Sequence, residues 1–506
     1  MRTRTAPTSR ATKTLRRVQR RTHADIPGRL GLLLATLDAP QPSGPVALPE
    51  LVEAAVAALG DATTDVIWLA LAVVSGALPD SDAVTSARRA VALDGPSEVL
   101  TAAARMITTE SAGRTVRVLR DTTLVDLGDL LTSPLGTGIQ RVAREVSIEW
   151  VSRYDATVLG WTDDFGALRV AGHSEVQAAL DGSRSAPESS EPLTTRSTPP
   201  GDVVVPWGCT YVVPELAIQP ARCAAMKALA QYSRNHSGVI GFDCVPITSS
   251  ETSAQGFAGV FALNLAAVAH FDVVAAISRA AAVEYEGWRM MLEGAGLAGP
   301  SITTVGLPGH APEPEADALR EAEARLVIPG VPLVLVVGSH EPRKNHLAVL
   351  HAAEVLWRRG HRFSLTFIGG NSWGGGEFTA RLMALRGAGR PVESISKFPD
   401  RLLWAAYRLA RCTVFPSVNE GFGLPVAESL SAGTPAITSG FGSMREIAQA
   451  GGAVMIDPRN DDELATALEQ LLTDDGLVAT LSGEALSRPR TTWVQYADQL
   501  WEAFHR

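Results

Sequence analysis

The sequence is poor in cysteine, with four in 506 residues, and none of the four stands in C-x-x-C spacing. Cys209, Cys223, Cys244 and Cys412 therefore offer neither the clustered thiolates of a structural zinc site nor a paired disulfide framework. A reducing compartment is the expectation. Excess positive charge is also lacking. The formal net charge is -9, which argues against broad nucleic-acid binding, since that requires a basic surface to displace counterions. An anionic ligand must then be held by a local cluster. Nor is there a long apolar run: the best candidate, Val66 to Leu78, falls short of the roughly 18 apolar residues of a membrane span and reads as a buried helix. The basic start of the chain carries Arg2, Arg4, Arg10, Lys13, Arg16, Arg17, Arg20 and Arg21, without the apolar stretch and cleavage site of a signal peptide. It reads as a solvated arm, with contact to anionic lipid as the alternative.

What is present is an ordinary globular composition, 46% hydrophobic and 20% charged, in a chain too long for one core. From Ile26 to Ile107 Ala and Leu recur at helical spacing, broken by turns at Ala39 to Pro45 and near Pro79 and Gly95. Residues 1–115 thus read as a basic arm and a helical extension. An apolar run from Val116 to Leu127, a glycine turn Leu135-Gly136-Thr137-Gly138 and a helical stretch Ile139 to Val151 then make the opening unit of a parallel α/β domain. Short apolar runs at 156–159, 203–205, 239–242, 273–277 and 302–305 supply further strands, giving a first domain over 116–308. Within it, 181–201 is rich in Ser, Thr, Pro and Glu and reads as a flexible, disordered insertion.

The alternation restarts at 333–337, 363–368, 413–415, 436–438 and 453–456, with a linker near Leu307 to Pro314. Such runs suit strands buried on both faces, so 309–485 reads as a second doubly wound domain. The two domains in series place a cleft between the carboxyl ends of their sheets. Trp493, Tyr496, Leu500 and Trp501 form an apolar stripe, and 486–506 is expected to pack back as a helix.

The most informative string is Asn419-Glu420-Gly421-Phe422-Gly423-Leu424-Pro425-Val426-Ala427-Glu428, directly after an apolar strand. Gly421 and Gly423 allow backbone amides to approach a ligand, and Pro425 suits the first turn of a helix, whose N-terminus favours an anion. Glu420 in the loop and Glu428 in the helix can address different hydroxyls of one extended ligand. The plainer reading makes the glycines a turn and the glutamates solvated. The second constellation, Gly338-Ser339-His340-Glu341-Pro342-Arg343-Lys344-Asn345, puts adjacent cations at a strand's carboxyl end. There they could neutralise a diphosphate leaving group without magnesium, or serve merely as exposed charges at a helix start.

Leu333 to Pro458 resembles the nucleotide-sugar domain of retaining glycosyltransferases of family 4, the group 1 family with the GT-B fold. EPRKN, EGFGLPVAE, SAGTPAITS and SMREIA leading into AVMIDP stand in that family's order. The resemblance implies two Rossmann-like domains facing across a cleft, and transfer of a hexose-type sugar from a nucleotide diphosphate donor with retention of configuration. Polysaccharide biosynthesis is the implied setting, and the acceptor would be a glycan, a lipid-linked molecule or another hydroxyl compound. It further implies that Arg343 and Lys344 bind the diphosphate, Glu420 the transferred sugar and Glu428 the ribose. Gly338 and the backbone from Gly421 through Phe422 and Gly423 to Leu424 would line the donor site.

In the first domain Thr137-Gly138-Ile139-Gln140-Arg141 is similar to the family's glycine-rich first loop. By that likeness Gly138 faces the diphosphate, with Gln140 and Arg141 nearer the acceptor; a solvated helix start is the alternative. Many relatives have a histidine before an aspartate where this chain reads Gly241-Phe242-Asp243. The histidine's role is then absent, moved to Asp243 or supplied elsewhere, and a turn-capping Asp243 is the competing reading. Ser278 is expected to cap a helix.

No metal site is expected: Asp80-Ser81-Asp82 lies between helices, and His340 and His346 lack further ligands. No cofactor is expected beyond the nucleotide sugar itself as co-substrate. The expected location is cytoplasmic, at most peripheral at the inner face of a membrane. Two rivals remain, a nucleotide-sugar epimerase on the same fold and a non-catalytic scaffold.

Overall fold

The computed structural model describes residues 9–42, 46–132, 137–181, 202–309, 311–370 and 372–506. The insertion expected at 181–201, apart from Asp181, lies outside the described residues, as do Arg2, Arg4, Leu135 and Gly136.

The first sheet has nine strands: β1 (Val116–Leu119), β2 (Thr123–Asp126), β3 (Ala156–Trp161), β4 (Leu168–Val170), β5 (Val203–Pro206), β6 (Thr210–Val213), β7 (His236–Gly241), β8 (Val273–Ala276) and β9 (Ser301–Thr304). Their spatial order is β1-β5-β4-β3-β2-β6-β7-β8-β9. All neighbours run parallel except β4, which is antiparallel to both β3 and β5. The run from Val116 to Leu127 is thus two strands, not one. Arg120, Asp121 and Thr122 break it, and Asp121 takes a positive φ of 50°. Sequence reading missed β4, which has three residues, and β6, which Pro214 cuts short.

The second sheet has six parallel strands: β10 (Leu333–Val337), β11 (Ser364–Ile368), β12 (Val392–Ile395), β13 (Cys412–Phe415), β14 (Ala436–Ser439) and β15 (Ala453–Ile456). The order β12-β11-β10-β13-β14-β15 reverses direction between β10 and β13. Strand β12 carries Glu393 and Ser394 at the sheet edge, so it has no apolar run to announce it. In an open parallel sheet the crevice for a ligand lies beyond the carboxyl ends of the two strands flanking the reversal.

One hydrophobic core runs from the N-terminal helices through the first sheet to the C-terminal helix. The helix Thr64–Ser75 is buried from Val66 onward, as expected of an apolar run too short for a membrane. Among the described residues no helix is long and apolar enough to cross one. Buried Arg29 ties these helices together, donating to the carbonyls of Val74 (3.1 Å), Ser111 (2.6 Å) and Arg114 (2.8 Å). The C-terminal helix Trp493–Phe504 crosses back onto the first domain, where Tyr496, Leu500 and Phe504 are fully buried. Trp150 donates its indole N–H to the Ala497 carbonyl at 3.0 Å. Trp493 and Trp501, by contrast, are only partly buried. Apolar surface removed from water drives this docking.

Candidate active site

Strand β10 ends at Val337, and Gly338 leads into a short helical turn, Pro342–Lys344. Strand β13 ends at Phe415, and the loop after it carries Glu420. The order reversal places these two loops side by side. Glu420 accepts from Lys344 at 2.5 Å through Oε1, and its Oε2 pairs with Arg343 at 2.5 Å. Ser417 also donates to Oε1, at 2.6 Å. Burial pushes the Glu420 carboxyl up, but the charges of Arg343 and Lys344 and the hydrogen bonds outweigh it and hold it at about 2. Arg343 also donates to the Asn419 carbonyl (2.9 Å), and the Lys344 ammonium sits 4.9 Å from the Phe415 ring centre.

Gly423 takes φ +104° and ends the loop, and the helix Leu424–Ser431 begins with Pro425 in its first turn. A side chain at Gly423 would be strained at that φ. Gly421 is held by the opposite domain: a Cβ there would collide with the Phe242 carbonyl and lie 2.7 Å from an Asp243 carboxylate oxygen. Ser278 caps the helix Arg279–Gly294, accepting from Ala281 N at 2.9 Å, and also donates across the cleft to the Gly421 carbonyl at 2.6 Å. The capping was expected. The bridge between domains was not.

Glu428 lies apart from the Arg343–Lys344–Glu420 cluster. It is buried in the helix after the loop, pairs with Arg141 of the first domain and accepts from the Tyr407 hydroxyl at 2.9 Å. Burial raises its carboxyl above the ordinary range, with Arg141 pulling the other way. The Arg141 guanidinium lies 5.2 Å from the Trp404 ring centre and 5.9 Å from that of Trp493. Gly138, the first residue of the helix Gly138–Arg153, approaches the start of the helix Leu424–Ser431: an added Cβ would be 3.8 Å from the Leu424 side chain. Two helix N-termini thus approach each other. Phe422 is partly buried against the cores of both domains, and Gln140 is buried beside Arg141.

Asp243 faces the cleft. Its carboxylate accepts from Val245 N at 3.1 Å, the turn-capping bond that the sequence suggested. Burial pushes its carboxyl up to about 6; Arg343 opposes the rise, and Glu284 and Glu420 add to it. Beside it opens a cavity of about 350 Å³ between the first sheet, the helix Phe257–Val268 and the second domain's Glu341, Arg343 and Trp373.

Sequence reasoning missed a buried charge cluster next to this cavity. Arg222 donates to Asp126 (2.9 Å) and Glu215 (2.7 Å), while Glu215 accepts from the backbone N–H of Asp129 (2.7 Å) and Leu130 (3.0 Å). Burial pushes Glu215 up to about 7 against the pull of Arg222. Carboxylates ending the apolar runs of β2 and β6 were the available signal. His340 and His346 are buried in an aromatic cluster with Phe367 and Phe378, and burial pushes His346 down to about 3. Asp80 caps the helix Ser81–Asp94. Among the described residues there is no group of three or more His, Cys, Asp or Glu side chains that could hold a metal.

A pair of Rossmann-like domains meeting at the carboxyl ends of their sheets defines the GT-B class of glycosyltransferase folds. Solved GT-B structures superpose on the chain. Sucrose-phosphate synthase of Thermosynechococcus elongatus covers 76% of it and 98% of its own length, at TM-score 0.55 and 15% identity. Anabaena Alr3699/HepE, solved with UDP and glucose, covers 76% of this chain and 100% of its own, at TM-score 0.54 and 13% identity. At such identity the likeness shows the fold.

Residues 320–488 match the family model for glycosyl transferases group 1. Among curated relatives, a serotype-specific mannosyltransferase WbdA of Escherichia coli is 27% identical over 337 residues, covering 64% of this chain and 40% of the relative. A D-inositol 3-phosphate glycosyltransferase of Thermobispora bispora is 32% identical over 220 residues, covering 40% of this chain and 50% of the relative. The chain spans about two fifths of the length of the WbdA proteins it matches.

Proposed function

We propose that this protein is a retaining, metal-independent glycosyltransferase of family 4, transferring a hexose from a nucleoside diphosphate to a hydroxyl acceptor. The observation that carries the reading is the Arg343–Lys344–Glu420 cluster at the order reversal of the second sheet, beside the N-terminus of the helix Leu424–Ser431. A diphosphate placed there meets two side-chain cations and the positive end of the helix dipole, and the helix start at Gly138 approaches the same helix end. Glu420, ionised at neutral pH, accepts hydrogen bonds from the sugar hydroxyls. Glu428 receives the ribose, exchanging its bond to Arg141 for ribose hydroxyls.

In the transfer, the bond between the anomeric carbon and the diphosphate oxygen breaks and its electron pair stays on that oxygen. The acceptor oxygen forms the new bond on the same face, and its proton passes to the departing diphosphate. Arg343 and Lys344 stabilise the charge that develops on the leaving group. The mannosyltransferase names of relatives make a mannosyl donor and polysaccharide biosynthesis the first case to try. Titrating UDP- and GDP-hexoses for thermal stabilisation finds the donor, because a ligand bound only by the folded state raises apparent stability. Conversion of donor alone into an isomeric nucleotide sugar, without acceptor, would replace this reading with an epimerase.

The protein works on the cytoplasmic side, in peripheral contact with the membrane. The helix Arg10–Thr22 buries Ala11, Leu15 and Val18, while exposed Lys13, Arg16, Arg17 and Arg20 share one shallow depression. That face suits anionic headgroups. Co-sedimentation with phosphatidylglycerol but not phosphatidylcholine vesicles, lost in Arg16→Glu/Arg17→Glu/Arg20→Glu, is the expected result.

A further inference from the structure

The helix Arg279–Gly294 belongs to the first domain, yet its opening turns bond to three residues of the second. The backbone N–H groups of Arg279 and Ala280 each donate to one carboxylate oxygen of Glu446, both at 3.3 Å. The Arg279 guanidinium lies 3.5 Å from the same carboxylate. The first N–H groups of a helix have no partner within it, and the dipole makes that end positive, so an anion there is favoured. Glu446 is thus an anionic cap supplied across the cleft. The Ser278 hydroxyl donates to the Gly421 carbonyl, and further along the same helix Glu284 accepts from Asn419 Nδ2 at 3.3 Å. Asn419 and Gly421 are the two neighbours of Glu420 in the chain.

Glu446 reaches Glu420 by a second route. It lies on the helix Gly442–Ala448, and one turn earlier on that helix the buried Ser443 donates its hydroxyl to the Glu420 carbonyl at 2.7 Å. The helix therefore grips the Glu420 backbone at one end and is tied to the first domain at the other. Arg343, Lys344 and Ser417 set the charge and hydrogen bonding of the Glu420 carboxylate. They do not hold its backbone. Gly421 and Gly423 give the segment after it more conformational freedom than other residues would, so its placement has to come from contacts.

We propose that Glu446 is a positioning residue: by capping the first domain's helix it steadies the helix Gly442–Ala448 and, through Ser443, the backbone from which the Glu420 carboxylate reaches the sugar. What Glu420 does with the sugar rests on the glycosyltransferase reading; that Glu446 sets the place of Glu420 goes beyond it. Glu446 touches no reacting atom and takes no part in the bond exchange.

Hydrogen exchange of the ligand-free protein tests the restraint directly. Loss of a helix cap predicts about fivefold faster exchange in Glu446→Ala for peptides covering 279–284 and 417–424, with the strands of both sheets still protected. Calorimetry then compares free UDP and GDP with UDP-glucose and GDP-mannose. The sugar nucleotide that the wild type binds should weaken about fivefold, while the free nucleotide, which lacks the sugar that Glu420 would hold, changes less than twofold. Arg445→Ala, at an exposed neighbour on the same helix, should alter neither measurement. Unchanged exchange in Glu446→Ala, faster exchange with unchanged sugar-nucleotide affinity, or equal weakening of sugar nucleotide and free nucleotide overturns the proposal. If Glu446→Ala does not fold, Glu446→Gln, which keeps the shape and loses the charge, is judged by the same outcomes. A wild type that binds no nucleotide sugar removes the donor reading, and the exchange rates alone then decide whether Glu446 restrains the segment around Glu420.

Discussion

The two domains hold their charges in different ways. In the first, Arg222, Asp126 and Glu215 have side chains 0%, 0% and 1% exposed, and all their ion-pair partners come from the same domain. In the second, Arg343, Lys344 and Glu420 are 17%, 11% and 10% exposed and sit on loops at the cleft. A fully enclosed cluster fixes the floor of the cavity in one geometry. A cluster with one side on the cleft can exchange a partner for a ligand. The contrast therefore separates charges that hold the first domain's loops together from charges that border the cleft.

The largest effect should come from breaking the enclosed cluster. Arg222→Ala leaves Asp126 and Glu215 buried without their cation, which should cost about 3–5 kcal/mol of stability, measured as a lower denaturant midpoint. An unchanged midpoint would remove the distinction between the domains. Next, Lys344→Ala should cut turnover by about 10²–10³-fold with the midpoint nearly preserved, because Arg343 still neutralises Glu420. Full turnover in that variant would contradict the role given to the open cluster.

A smaller effect concerns the ion pair across the cleft. Glu428→Ala should weaken nucleotide binding by about tenfold, whereas Arg141→Ala should tighten it by freeing Glu428, both read by calorimetry with the free nucleotide. Weakening in both would mean that Arg141 binds the ligand itself. The smallest effect is on pH dependence. Asp243 binds its proton more tightly in the folded state, with its carboxyl at about 6, above the ordinary carboxylate range. Its contribution to stability is therefore full below the unfolded value, near ~3.9, and declines as pH rises towards 6. Above that pH the charged carboxylate faces Arg343, Glu284, Glu420 and the Val245 N–H. An inflection near pH 6 in kcat/KM, absent in Asp243→Asn, is the expected signature; its persistence would assign it to another group.

How much of this was legible follows the same division. Arg343, Lys344 and Glu420 could be picked out because each follows an apolar strand, in strings whose glycines and proline mark a strand-loop-helix passage. Two doubly wound domains followed from the alternation of strands and helices, which depends on local hydrophobic patterning, and the GT-B fold was implied by the resemblance of the second domain. The cavity beside Asp243 was not legible: Val239, Phe257, Asn264 and Tyr285 come from separated segments and look like ordinary core in one dimension. Arg141 was placed on the acceptor side by resemblance, yet its guanidinium rests on Glu428, because helix docking and not sequence neighbourhood chose its partner. The missing histidine at Phe242 likewise acquires a context only in three dimensions, where Phe242 becomes part of an apolar wall and presents its carbonyl to Gly421.

By itself the sequence determined the parallel character of the second sheet and of most of the first, the anion-suited helix start after Gly423 and the presence of adjacent cations after β10, since these depend on hydrophobic period, backbone freedom and charge. Tertiary structure alone decided that Glu420 sits between two cations while Glu428 meets Arg141. Such pairings are set by strand order and by how the domains close. Distances between residues far apart in the chain are properties of packing, and no local pattern contains them.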